Sequence, residues 1–319
     1  MKLRKLAALA MGCALAFGAL AQDRYPSKPV RIIVPFSSGS GTDIVARMYA
    51  EHMSRVTGQG FVVENRQGAD GIVGAEAIAK AAPDGYTLGI SPASPITMNP
   101  ALYSVPYDSR KDFIPVINFA GLGYALVVNA SFPAKNLAEL VAYAKANPGK
   151  VNYAAGSTPV HIAGEWMKIL AGIDIVAIPY KGTAPQVTAV LANEVSLTFD
   201  PFLGIAHVRS GKMRPLAVTS QKRSSMLPDV PTMDESGFKG LVVETWIGLF
   251  APVGTPKPAL DLLQSEGLKF LQLQPTKDRL ASLSYDAIGM TTEPFARLID
   301  QDLVRWQQAV QRTGIKVNK

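Results

Sequence analysis

The hydrophobic pattern of this chain changes period again and again, and each change falls at a turn rich in glycine and hydroxyl residues. The run Val30-Arg31-Ile32-Ile33-Val34 is short and β-branched, which suits a buried strand. After Phe36 comes Ser37-Ser38-Gly39-Ser40-Gly41-Thr42-Asp43, a turn. Apolar residues then recur at Ile44, Val45, Met48, Tyr49, Met53 and Val56, one face of a helix that Gly58 can stop. The pattern next predicts a strand over 61–65, a loop over 68–71 and a helix over 72–82 that ends at Pro83-Asp84-Gly85. A third strand over 86–91 opens into Pro92-Ala93-Ser94-Pro95.

Two β-like runs, around Ile117 and around Leu126-Val127-Val128, are read as joined by Gly121-Leu122-Gly123. A second series starts there. Asn136 with Glu139 makes a capping box for a helix over 137–147, which stops at Pro148-Gly149. The strand over 151–155 runs into Gly156-Ser157-Thr158-Pro159 and a helix over 160–170, repeating the opening unit. A strand over 174–179, Tyr180-Lys181-Gly182-Thr183-Ala184-Pro185, a helix over 186–192 and a strand over 195–199 ending at Asp200-Pro201-Phe202 follow. Residues 215–219 read as a further strand, and the tail carries helical patterns over 259–273 and 294–311.

Strands alternating with helices argue for an α/β fold with largely parallel sheets. The two series predict two similar lobes, each a central sheet flanked by helices, with Gly/Ser turns facing one cleft. The expected division is 22–119 with 221–319 in lobe 1 and 120–220 in lobe 2. Ligands of open α/β sheets bind at the carboxyl edge of the strands, where these turns lie.

Composition adds the compartment. Lys2, Arg4 and Lys5 precede an apolar stretch over 6–18, and Ala19-Leu20-Ala21 supplies small residues for a peptidase. This is a secretory signal pattern, too short to span a bilayer, with cleavage expected after Ala21 and export to the periplasm. Residues 22–319 then hold 29 basic and 25 acidic residues, a net +4. No basic run interleaved with aromatics accompanies that excess, so nucleic acid is not an expected partner. The single cysteine, Cys13, lies in the signal segment after a poor lipobox, so the mature chain has no disulfide to rely on.

No catalytic or metal set emerges. His52, His161 and His207 are far apart without an H-x-x-x-H pairing, no G-x-S-x-G elbow occurs, and Ile44 stands where a dinucleotide fingerprint needs its third glycine. No metal and no cofactor are expected. Asp43 and Asp200 could serve acid/base chemistry, cap a helix start or bind a polar ligand group. His161 either bonds its own loop or touches a ligand, and Lys181 is either a cleft cation or a solvated loop lysine. The hydroxyls of Ser37, Ser38, Ser157 and Thr183 recur at three strand-to-helix turns, where N–H groups and the positive end of a helix dipole suit an anion.

Ordered motifs across the mature chain resemble a known family. Pro35-Phe36 with Gly39-x-Gly41-Thr42-Asp43, Val63-Glu64-Asn65-Arg66, Pro83-Asp84-Gly85-Tyr86, Gly156-Ser157 with His161, Pro179-Tyr180-Lys181-Gly182, Arg214-Pro215-Leu216-Ala217-Val218-Thr219 and Trp246-x-Gly248 look like the Bug-type solute receptors of tripartite tricarboxylate transporters. The resemblance implies a two-lobed periplasmic binding-protein fold of type II. It implies capture of a small carboxylate by a monomer and delivery to membrane transporter subunits. Family members usually have Ala-Gly-Gly where this chain has Ser37-Ser38-Gly39, and a polar pair where it has Pro201-Phe202.

One carboxylate is therefore expected on Ser37, Ser38, Gly39, Ser40, Gly41, Thr42 and Asp43, near Ser91 and Ala93. The opposite end falls to Gly156, Ser157, Thr158, His161, Lys181, Thr183, Ala184 and Asp200. Phe36 and Phe202 would stack an aromatic or cyclic ligand. The alternatives are a secreted hydrolase or lyase using Asp43, His161 or Asp200, and a ligand sensor for a signalling partner.

Overall fold

The computed structural model describes residues 25–180 and 182–314. The expected signal segment and Lys181 lie outside the described residues.

The chain opens with β1 (Val30–Val34), α1 (Gly41–Thr57), β2 (Phe61–Asn65), α2 (Ile72–Ala79) and β3 (Thr87–Pro92). A π-type turn over Ser94–Met98 and a helical turn over Asn99–Leu102 lead to β4 (Phe113–Gly123). The second series is β5 (Ala125–Asn129), α3 (Leu137–Ala146), β6 (Val151–Ala155), α4 (Thr158–Ala171), β7 (Ile175–Pro179), α5 (Thr183–Leu191), β8 (Leu197–Asp200), α6 (Ile205–Arg209) and β9 (Met213–Val218). The chain then returns through β10 (Glu244–Pro252), α7 (Lys257–Gln272), α8 (Gln274–Ser282), β11 (Asp286–Thr291) and α9 (Thr292–Thr313).

Two sheets result, with strand orders β11-β4-β10-β3-β1-β2 and β7-β6-β8-β5-β9. β1 pairs in parallel with β2 and β3, and β6 with β7 and β8, so the carboxyl ends of β1 and β3 share one edge and those of β6, β7 and β8 another. Both sheets are mixed. β10 runs antiparallel between β3 and β4, and β5 antiparallel between β8 and β9.

Local sequence explains the elements that carry the site. α1 buries Val45, Ala46, Tyr49, Ala50 and Met53 against the first sheet, Val45 and Met53 each stabilising by roughly 1.5–3 kcal/mol. Tyr49 donates its phenol to the Leu263 carbonyl at 2.7 Å and His52 Nε2 lies 3.1 Å from Glu266 Oε2, which fixes α1 to α7. Gly58, at φ 72°, closes α1 in the left-handed conformation that favours glycine. Asn136 caps α3, and Glu139 reaches back to the Lys135 N–H at 2.7 Å.

The two runs around Ile117 and Leu126 are not joined by a glycine turn, because β4 continues through Gly121-Leu122-Gly123 as one strand of 11 residues. A Cβ on Gly123 would lie 2.8 Å from Ser220 Cβ, so the glycine lets two backbones approach where the chain crosses between sheets. The crossing falls at Tyr124, and the expected change of lobe at 119/120 lies inside β4.

Thr219 fastens the crossings together. Its N–H donates to the Tyr124 carbonyl at 2.8 Å, and its hydroxyl accepts from Tyr124 N at 2.8 Å and donates to the Val243 carbonyl at 2.5 Å. A shared apolar core adds a second tie: α4 packs on α9 and on the 94–98 turn, where Ile162 and Trp166 meet the cluster that holds Ile96, Trp306 and Ala309.

Candidate functional site

The turn after β1 is shaped from within by Asp43. This carboxylate, 1% exposed, accepts from Gly39 N at 2.8 Å, Arg47 Nε at 2.9 Å and Asn65 Nδ2 at 2.8 Å. Burial alone would raise its pKa, but the bonds from Arg47, Gly39 and Asn65 outweigh that and hold it below the usual carboxylate range. Ser40 is the cap of α1, accepting from Asp43 N at 3.2 Å. Asp43 is thus the staple of the turn, and its carboxylate points into the loop. Beyond it, the first N–H groups of the helix, at Gly41 and Thr42, have no intrahelical acceptor, and Ser37, Ser38 and Gly39 are exposed.

Tyr285 stands beside these donors. A Cβ on Gly41 would sit 2.5 Å from the Tyr285 hydroxyl oxygen, so only glycine lets the ring lie against the helix start. Burial pushes the phenol up to about 12, which keeps it a hydrogen-bond donor at neutral pH. Nothing in the sequence near the turn marks Tyr285, because it arrives from 244 positions further along the chain.

The end of β3 contributes backbone more than side chains. Ser91 and Ala93 are fully buried, and the Ser91 hydroxyl donates to the Pro92 carbonyl at 3.0 Å. Phe36 is half-buried and flanks the next turn, where a Cβ on Gly71 would meet its ring at 3.0 Å and Pro95 at 3.2 Å. Asp70 occupies that turn at φ 51° and is fixed by Asn99 Nδ2, which donates to its carbonyl at 3.0 Å.

On the second sheet, Gly156 donates its N–H to Gln186 Oε1 at 2.6 Å, and a Cβ there would strike the Gly182 carbonyl at 2.5 Å. The turns after β6 and β7 are therefore in contact, and the starts of α4 and α5 lie side by side. Ser157 caps α4 through its carbonyl, which accepts from His161 N at 3.0 Å. Burial, helped by Lys168, lowers the His161 pKa against the pull of Glu165, so the ring is neutral at pH 7. Thr183 is half-buried and Ala184 exposed at the start of α5. The two edges meet where Thr158 Oγ1 donates to Asp70 Oδ2 at 2.8 Å.

Asp200 and Phe202 do not join this group as cleft walls. Asp200 is 1% exposed, accepts from Gly204 N at 2.8 Å, and leaves Oδ1 buried without a partner. Burial raises its pKa to about 6 despite the bonds from Gly204 and Leu203. Phe202, expected to stack a ligand opposite Phe36, is 3% exposed and belongs to the core of the second sheet. Its left-handed backbone, φ 61°, turns the side chain away from the path of β8. It reaches instead a cavity of about 630 Å³ on the α9 side of the crossovers, whose wall also holds Trp246, Glu244, Asp286 and Asp302. Lys222, Arg223 and Arg305 line the same wall, so acidic and basic side chains balance there.

Asp43, His161 and Asp200 share no hydrogen bond, each being engaged in its own turn or buried apart. Among the described residues no group of three or more His, Cys, Asp or Glu could hold a metal, and no helix is long and apolar enough to cross a membrane.

Known proteins resemble this chain in sequence and fold. The sequence profile of the Tripartite tricarboxylate transporter family receptor, TctC, matches residues 45–315. Protein BugT of Bordetella pertussis is 35% identical over 300 residues, covering 92% of each chain. The structure of the periplasmic binding protein BugD superposes with a TM-score of 0.78 at 35% identity, covering 92% of this chain and 99% of that one. The structure of R. palustris Rpa4515 with adipate gives 0.81 at 32% identity, covering 92% and 99%. The chain belongs to the tripartite tricarboxylate transporter receptor family, a family of receptors rather than enzymes, and is built on the two-lobed fold of periplasmic binding proteins.

Proposed function

We propose that this receptor closes its two lobes around a small carboxylate and delivers it, as a monomer in the periplasm, to the membrane subunits of a tripartite tricarboxylate-type transporter. The carrying observation is the pair of strand-edge turns, each opening a helix whose first N–H groups lack intrahelical acceptors, on two edges that the Thr158–Asp70 hydrogen bond joins through the neighbouring 69–71 turn. Rpa4515, the relative solved with adipate, supports the ligand class. On this reading lobe 1 is 22–123 with 221–319, lobe 2 is 124–220, and the signal segment is removed after Ala21.

The ligand carboxylate lies on Ser37, Ser38, Gly41 and Thr42, beside Tyr285. The other end lies near Ser157, Thr158, His161, Thr183 and Ala184, with Phe36 as the apolar wall. Neutral donors at helix starts spread the ligand's charge over several hydrogen bonds, so no buried arginine is required. Closure follows because contacts to both edges exist only when the lobes meet on the ligand.

Calorimetric titration of the mature chain with adipate and a panel of mono- and dicarboxylates tests this. The expected result is micromolar binding, about −8 kcal/mol, of at least one member. Replacing both Ser38 and Ser157 by Ala should weaken it at least tenfold. No binding across the panel, or unchanged affinity in the double variant, overturns the assignment.

A further inference from the structure

Asp70 is an acidic residue standing in a site built for an anion, and the reading of it rests on the carboxylate-receptor function above. Ala69 and Asp70 both hold left-handed backbone, φ 47° and 51°, a conformation that side chains other than glycine rarely adopt. The fold maintains it with two long-range bonds, Asn99 Nδ2 to the Asp70 carbonyl and Thr158 Oγ1 to Asp70 Oδ2. The next residue, Gly71, is wedged against Phe36 and Pro95, so this turn sits where the β1 turn, the β3 turn and the start of α4 converge.

Thr158 uses one oxygen of the Asp70 carboxylate. Asp70 as a residue is half-buried, and Thr158 and Asn99 are the side chains that hydrogen-bond its carboxylate, which leaves acceptor capacity where the two edges converge. Among the described residues no cation forms an ion pair with Asp70; the acids at the β1 turn and along β2 have Arg47, Arg31 and Arg66, and this one has none. Its field reaches the surrounding phenols: Tyr103, Tyr107 and Tyr124 are all raised by burial first and by Asp70 among their neighbours. A partly buried acceptor with an open lone pair and no cation calls for a hydrogen-bond donor on what enters the cleft. An unsubstituted carboxylate offers acceptors alone.

We infer that Asp70 is a specificity residue, selecting carboxylates that carry a hydroxyl or ammonium donor over the same carbon skeleton without one. The donor group meets the Asp70 carboxylate while the ligand's own carboxylate meets the helix starts. Because Thr158 bonds the same side chain from the opposite lobe, this donor is read only when the lobes are together. A site that hydrogen-bonds a substituent rejects the analogue lacking it far more strongly than a site that only fills space.

The test is a matched calorimetric series on the mature chain, comparing each unsubstituted acid with its 2-hydroxy and 2-amino forms on four-carbon diacid, five-carbon diacid and 3-phenylpropanoate skeletons. Wild type should bind one substituted member at least tenfold tighter than its parent. In Asp70→Gly, which also suits the left-handed backbone, that ratio should fall to within threefold of one. Asp70→Asn separates the donor types, retaining a hydroxyl preference through its amide oxygen and losing an ammonium preference. Binding of the parents as tightly as their substituted forms, or an unchanged ratio in Asp70→Gly, overturns the role of Asp70 and leaves the carboxylate function standing. Absence of binding by every member overturns both.

Discussion

Replacing Asp43 by Ala tests whether the anion turn is held from within. Three donors lose their acceptor: Gly39 N, Arg47 Nε and Asn65 Nδ2. They are not equally affected. The Arg47 side chain is 51% exposed and rehydrates, and Asn65 keeps its bond to the Phe36 carbonyl at 2.9 Å. The main loss is the charge-assisted bond to Gly39, about 1.5–3 kcal/mol, with roughly 1 kcal/mol for Asn65. The Arg47 pair adds under about 1 kcal/mol because water screens it. The total of about 3 kcal/mol should lower the melting temperature by roughly 5 °C for a chain of this size, at about 2.1 cal/mol/K per residue.

The loss also carries a pH signature. The Asp43 pKa is lowered in the folded protein, so its stabilisation is present above the unfolded value of about 3.9 and disappears as pH falls through the folded one. The gap between wild type and Asp43→Ala, followed by circular dichroism melts from pH 3 to pH 7, should therefore be full at pH 5–7 and shrink below pH 4. Arg47→Ala serves as the control, with a loss under about 1 kcal/mol. An Asp43→Ala protein that melts within 1 °C of wild type at pH 7, or a gap that widens in acid, refutes the reasoning.

Two further outcomes follow from the same geometry. Gly41→Ala drives a methyl to 2.5 Å from the Tyr285 hydroxyl, so it should displace the ring and weaken carboxylate binding about tenfold by calorimetry. The double variant with Tyr285→Phe should recover part of the loss of stability. Asp200, with its pKa raised to about 6, binds a proton more tightly folded than unfolded. Its ionisation therefore removes stability as pH rises from about 3.9 to 6, and wild type should lose about 1 kcal/mol relative to Asp200→Asn between pH 5 and pH 7 in urea titrations.

Much of the fold was legible because its signals are local. The β-branched run at 30–34, the apolar face of α1, the Asn136 cap and the repeated strand-turn-helix units depend on backbone propensity and on burial of one face of an element. The glycines of β4 have the local signature of a turn although the strand runs straight through them. In the structure Gly123 serves the close approach of Ser220, 97 positions away, and no local rule encodes that. At the site, the sequence located the turns but not the direction of their side chains. Asp43 turns inward to Gly39 and Asn65, and Phe202 turns into the core on a left-handed backbone.

The sequence alone thus determined an α/β chain with paired Gly/Ser turns suited to an anion, a secretory leader pattern and no catalytic motif. Tertiary structure alone decided which groups meet at those turns. Tyr285 reaches Gly41 because the chain returns to the first sheet through α7, α8 and β11, and Thr158 reaches Asp70 across 88 positions because the two lobes touch. Hydrophobic period and turn chemistry are properties of neighbouring residues, whereas a hydrogen bond between lobes depends on how two independently patterned sheets are tied through Tyr124, Thr219 and Val243.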